Sequence, residues 1–581
     1  MKSIKIIALL LSVVTMFQAC KDDTAQPVPV PSVTTTGTLT GIPGATVQLK
    51  ASINAPGGIK NVTVLKNGAA FDSQTGTGQT TLEYSKDYVI ENLAANTVVN
   101  FTLQVTDNSG QVSALTTIPV TVTAIPAKTV VDVSGVLEGN ISWTADKIYK
   151  LKGYVRVGEE AVFGTVTKTG TLTIAPGTLI IGERASKGTL IIQRGSKIIA
   201  NGTATQPIIF TSERNPGERE PGDWGGLVIC GKAINNRVNT QQFRELEGGY
   251  GGFYGGTDDA DNSGSLRYVR VEFAGIPVQP DREINSFTFG SVGAGTTMEY
   301  LQASNGLDDS FEWFGGNVNA KYLIAYKGLD DDFDVDHGYT GLVQYAIGIR
   351  GATQADISGS NGFECDNDNP ASSNTPFTSP TFANVSIIGP KGDAATGISA
   401  QFQNGMHLRR NSKMKIYNTV VTGYPSGLYI DNQGSTTRTF AANGDIILQN
   451  IVIAGTDKWG SNGFGLSATT PRPFNFPVCE FEQNTLVPFL IDGKNPTAWF
   501  TGLTGNRVLP ALATTGLSPS LFLTGRPTFL LAATSDLKGV NLPTTLPAFF
   551  TKTTFVGAFN DADWTTGWAE FNPQAAVYGK Q

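Results

Sequence analysis

At 581 residues, with 67 glycines and a formal charge of −7, the chain is too long for one ordinary core; about one domain per ~150 residues predicts three or four units unless a repeat elongates one of them. The acidic balance, with no basic, aromatic-interleaved stripe, excludes nucleic acid as a partner, because phosphates demand clustered Lys and Arg. Only two histidines, His337 and His407, occur, which excludes a His-rich zinc centre and leaves a Ser-His-Asp triad few candidates.

The first element is an export signal. Lys2 and Lys5 precede an apolar run from Ile6 to Phe17 that ends at Ala19-Cys20, too short to span a bilayer at ~20 residues, so residues 1–19 read as a signal peptide. Ala before Cys resembles the lipobox of bacterial lipoproteins, with Cys20 as the lipidated residue, although Phe17 and Gln18 depart from that pattern. The following "KDD" resembles the acidic export tag of lipoproteins of the Bacteroidetes, which implies the outward face of the outer membrane. Acyl chains contribute ~0.8 kcal/mol per buried CH₂, so a multiply acylated Cys20 needs no spanning helix. Pro and Thr make residues 20–36 an extended linker.

Residues 37–124 alternate apolar and polar side chains in short runs such as "TVQLKASI", "NVTVL" and "VVNFTLQVTD", separated by Gly, Asn and Asp turns, which predicts a β-sandwich. The last hairpin, turning at Asp107 to Gly110, resembles that of bacterial immunoglobulin-like modules.

From residue 130 the texture becomes repetitive. "GTLTIAPG" at 170–177 returns as "GTLIIQRG" at 188–195, and "QPIIFTS" and "WGGLVICG" follow. Short strands recurring every ~20 residues without helices predict a coil of parallel strands. Residues 130–455 resemble the right-handed parallel β-helix proteins of bacterial surfaces. "GDWGGLVICGKAIN", "YGGTDDADNSGSLRYVRVEFAG" and "GLDDDFDVDHGYTG" look like a family of β-helix lipoproteins. That resemblance implies a fold and no activity. The expected fold is therefore all-β: an immunoglobulin-like sandwich, a right-handed parallel β-helix, and an irregular end and cap at 456–581, where Phe555, Trp564 and Trp568 suit a cap over the last rung. Cys230, Cys365 and Cys479 are an odd, widely spaced set that reads as buried thiols.

The repeat also predicts a surface. "EYLQASNGLDDSFEWFGG" aligns with "KYLIAYKGLDDDFDVDHG" at an offset of 22, so Phe311 meets Phe333. With those rings and Trp313 inward, period-2 alternation sends their neighbours out. One outward column carries Glu312, Asp334, Glu364, His407 and Tyr429; the other carries Phe314, Asp336, Asp366, Arg409 and Asp431. The 43-residue step from Glu364 to His407 holds either a loop or an additional rung. Carboxylates so crowded repel unless a cation intervenes, and calcium takes 6–8 oxygens in flexible geometry. The candidate metal ligands are Asp309, Glu312, Asp331, Asp332, Asp334, Asp336, Glu364 and Asp366. A second cluster, Asp258, Asp259, Asp261 and Asn262, lies in a Gly-rich loop and lacks a bidentate Glu.

β-Helix enzymes include calcium-dependent pectate-type lyases and polygalacturonase-type hydrolases, but "HLRRNSK" at 407–413 matches neither signature. The reading drawn from the sequence is an outer-membrane, outward-facing lipoprotein, anchored through its N-terminal lipid. It binds a glycan, a surface protein or an outer-membrane protein complex without catalysis. The alternative is a calcium-dependent polysaccharide lyase or glycoside hydrolase using Asp334, Asp336, Arg409 and His407. The two part on geometry, because an enzyme needs an open cleft over the acidic ladder.

Overall fold

A computed structural model describes residues 27–124, 127–237, 246, 249–279, 282–393, 397–432, 434–456, 490–517 and 526–578. The signal peptide, Cys20 and Cys479 lie outside the described residues. Residues up to 126 and from 127 onward form two compact units.

The first unit is a sandwich. One sheet holds Ser32–Thr35, Thr46–Asn54 and Thr81–Val89; the other has five strands, with Val98–Asp107 between Thr116–Val122 and Ile59–Lys66. Alternation buries Leu49, Val62, Phe101 and Val105 between the sheets, and Asp107 accepts a bond from the Gln111 N–H at 2.8 Å to close the last hairpin.

The second unit is a right-handed parallel β-helix, 23 strands hydrogen-bonded into one continuous coil. Each middle rung contributes a long strand, such as Asn319–Tyr326, and a short one, such as Phe333–Asp336. The long strand bends at a residue with positive φ, and these residues stack as Tyr268, Tyr300, Tyr322 and Tyr345, then Asn384, Asn418 and Asn450. Asn tolerates that conformation through its short amide, whereas Tyr is uncommon there. The tyrosines offset the strain by stacking, with ring centroids 4.3, 4.3 and 5.0 Å apart. Inside, Phe287, Phe311, Phe333 and Phe363 stack at 5.0–5.7 Å, and Trp313 is fully buried against Tyr339.

Phe555, Trp564 and Trp568 lie elsewhere than over the last rung. Trp499 and Phe500, on the short helix Pro496–Gly502, join the main core. Trp564 and Trp568 instead pack against the tyrosine column on the flank. The physical reason is that the long strands turn Ile324, Ile347, Ile388 and Val420 outward, and residues 526–571 cover that apolar face. Side-chain amides hold the segment as a partner strand would. Gln344 donates to Thr551 O and accepts from Thr551 N, each at 2.8 Å. Gln302 does the same with Glu570, at 2.6 and 2.9 Å.

Candidate functional site

The short strands build the site. Phe311–Gly316 pairs in parallel with Phe333–Asp336, Glu312 beside Asp334 and Phe314 beside Asp336. Asp334 in turn lies beside Glu364, and Glu364 pairs directly with His407. The 43-residue step is thus one rung carrying a long excursion, which includes the strand Thr381–Ile388 on another face. Because side chains alternate, Phe311, Phe333 and Val335 enter the core while Glu312, Asp334, Asp336, Glu364 and Asp366 form a floor. A cavity of about 610 Å³ opens above it, lined also by Arg237, Tyr254, Arg282, His337, Arg409 and Arg410.

The floor divides electrostatically. Arg409 donates Nε to Asp366 at 2.7 Å and Nη2 to Glu364, and Arg410 donates to Asp366 at 2.5 Å. Burial pushes the Glu364 carboxyl up, but Arg409, His407 and Arg410 outweigh it and bring it down to about 2. Asp336 meets the opposite environment. Burial, then the Asp366 charge, push it up to about 8 against a bond from the His337 N–H. Asp334 rises for the same first reason, reinforced by Glu312 and Glu364. His337 is buried, and burial and the Arg237 charge hold it well below its ordinary value, so the ring is neutral at pH 7. It bridges Tyr254 Oη, 2.9 Å from Nδ1, and Asp336 Oδ2, 3.1 Å from Nε2.

The proposed metal ligands do not all meet. Carboxylate oxygens of Asp309, Glu312 and Asp334 lie within 4.8 Å of one another, as do those of Asp308, Asp309 and Asp330. Asp334 Oδ1 is buried with no hydrogen-bond partner among the described residues. An all-carboxylate set with an orphaned oxygen suits a hard divalent cation. Asp332 does not belong to that set. It is fully buried, 3.2 Å from Arg350 Nε, in the turn before the strand, where strand alternation does not hold. Asp331 accepts from the Asn361 N–H, and Glu364 and Asp366 are taken by the arginines. His407 does not line the cavity: it is 4 % exposed, stacked on Tyr429 and 3.2 Å from Asp431. The second Asp cluster serves its own loop, with Asp259 accepting from Ile234 N and Asp261 from Ser263 Oγ.

Arg237, Tyr254, Arg282 and His337 escaped the repeat alignment because three of them come from loops inserted between rungs and obey no period. Tyr254 reaches His337 across 83 residues of chain. His337 follows Asp336 directly, so its proximity was legible, but its partner was not.

Residues 135–464 match the family model described as a pectate-lyase like beta helix domain. Among solved structures, a family 28 exopolygalacturonase of Yersinia enterocolitica is similar at 10 % identity over 80 % of this chain and 100 % of that one, with a TM-score of 0.16, a likeness too slight to carry any argument. No curated protein matches the chain.

Proposed function

The chain belongs to the pectate-lyase-like β-helix family, and from that premise we propose that its acidic pocket cleaves an acidic polysaccharide by hydrolysis. One observation carries the reading: on the floor of an open cavity, neighbouring carboxyls are driven in opposite directions, Asp336 up to about 8 and Glu364 down to about 2. Pairs of carboxyls pushed apart in this way mark an acid and a base. Asp336, protonated at neutral pH, gives its proton to the glycosidic oxygen. Glu364, ionised, takes a proton from the water whose hydroxyl joins the anomeric carbon. Elimination fits less well, because it needs a basic side chain to lose its proton. Burial pulls the Arg409 guanidinium down, but Asp366 and Glu364 outweigh it and hold it well above its ordinary value. Arg282, exposed at the cavity's edge, is placed to meet a substrate carboxylate.

Calcium belongs to the same proposal, held by Asp309, Glu312 and Asp334, where it would supply positive charge to the floor and to an anionic sugar. So does the setting: an outer-membrane lipoprotein facing outward, anchored through Cys20, a reading supported by Ala19-Cys20 and the "KDD" run.

A second reading, retention of a glycan without cleavage, is favoured by Arg409 and Arg410 being already engaged by Glu364 and Asp366. Incubation with a panel of polyuronates separates the two. Hydrolysis predicts new reducing ends without the ultraviolet absorbance of an unsaturated product, lost in Asp336→Asn. Glycan retained without products would favour the second reading, and an unsaturated product would establish elimination.

A further inference from the structure

Resting on the hydrolytic reading of this pocket, we propose that it takes the end of a glycan chain and releases short products from it, and does not cut within the chain. A polymer gripped through its middle needs a trough open at both ends along the helix axis. Here the ladder is stopped on both sides. Toward the N-terminal rungs the outward position beside Phe314 belongs to Gly290, and the space a side chain would fill there is taken. A Cβ on Gly290 would lie 2.7 Å from Tyr254 Cβ and 3.4 Å from Leu246 Cδ2. Leu246, Tyr250 and Tyr254 pack with Ile284 and Phe314 into a cluster that stands on the ladder as a wall.

Toward the C-terminal rungs the columns continue as Arg409, which still lines the cavity, and then as His407, Tyr429 and Asp431, all buried. The helix Thr437–Asn443 and its leading turn close over them. Asn411 N–H donates to Thr437 Oγ1 at 3.0 Å, and Thr436 N–H donates to Asn411 Oδ1 at 2.7 Å. One flank is shut as well, where Asn236 donates to the Asn367 carbonyl at 2.7 Å and joins two loops beside Asp336. The cavity floor therefore spans four rungs, Glu312 to Arg409, about 14 Å at ~4.8 Å per rung. Cavities of roughly 300–1,000 Å³ enclose one small ligand, and about 610 Å³ suits a di- or trisaccharide end. Glu364 and Asp336 sit within that floor, so the bond broken is one of the terminal ones. Each cleavage consumes one water and frees a mono- or disaccharide.

The test uses the full chain with oligogalacturonides of defined length, from the disaccharide to the octasaccharide. Affinity is measured calorimetrically with Asp336→Asn, and products and viscosity are followed with the wild-type protein on polygalacturonate. The expected result is affinity that stops rising at the trisaccharide, a loss of about tenfold or more when one chain end is blocked by a fluorophore but not the other, and early mono- or disaccharide with slowly falling viscosity. Affinity climbing to the octasaccharide, or a rapid viscosity drop with mixed long products, overturns chain-end action and leaves hydrolysis standing. Failure of both proteins to bind or cleave any length overturns both proposals.

Discussion

Two halves of one ladder, a single rung apart, solve the same electrostatic problem in opposite ways. Against burial, Arg409, His407 and Arg410 hold Glu364 ionised, and Arg409 and Arg410 pair with Asp366. Asp334 and Asp336, beside them in the parallel pairing, are driven toward the neutral form by burial, then by Glu312 and Glu364 at Asp334 and by Asp366 at Asp336. Burial alone disfavours charge on every one of these groups; the presence of a guanidinium decides the sign. The contrast teaches that a column of acids in a β-helix is not one site but a row of separately tuned positions.

The largest way to break the contrast is to remove the acid. Asp336→Asn keeps the shape and the neutrality but has no proton to give, so cleavage should fall by about 10²–10⁴, the usual worth of a general acid, as read from reducing-end release. Removing the cation from the other half comes next. Arg409→Ala leaves Glu364 and Asp366 buried with one guanidinium fewer, and breaking such a pair costs roughly 3–5 kcal/mol, measurable by chemical denaturation. A smaller effect sharpens the comparison from the acidic side. Calcium at about 100 times its Kd should stabilise the protein by about 2.7 kcal/mol, a gain abolished by chelator or by Asp334→Asn and retained in Asp366→Asn.

Proton linkage gives the finest test, at most about 1.4 kcal/mol per pH unit for each proton. Asp336 has a folded value raised from 3.8 to about 8, so its contribution is complete below pH 3.8 and is lost as the pH rises toward 8. Glu364 has a folded value lowered from 4.5 to about 2, so its contribution is present above pH 4.5 and is lost as the pH falls toward 2. Melting temperatures across pH without calcium should therefore show Asp336→Asn flattening the neutral-side slope and Glu364→Gln flattening the acid-side one. If both variants shift the same slope, the division of the ladder is wrong.

Much of this was legible in the residues. The offset of 22 between Phe311 and Phe333 located the stack, because a parallel coil brings equivalent positions into register and alternation then settles which side chains face out. The same rule set Glu364 and His407 in one column but left open a rung between them, which only the direct pairing removes. The acidic turn offers Asp332 as one more ligand, but alternation does not apply there and its carboxylate reaches inward to Arg350. Composition misled at Trp564 and Trp568, since aromatic residues signal burial without saying against what; the tyrosine column that receives them lies more than 200 residues earlier.

The sequence by itself determined the coil, the inward aromatic stack and the outward acidic columns, since these follow from local period and from backbone pairing. Only the tertiary structure decided that those columns floor an open pocket, that arginines neutralise one half and that Tyr254 and Leu246 wall its end. Such properties depend on loops that fold back from distant rungs, and a carboxyl's charge state is set by what lies across space from it, not by its neighbours along the chain.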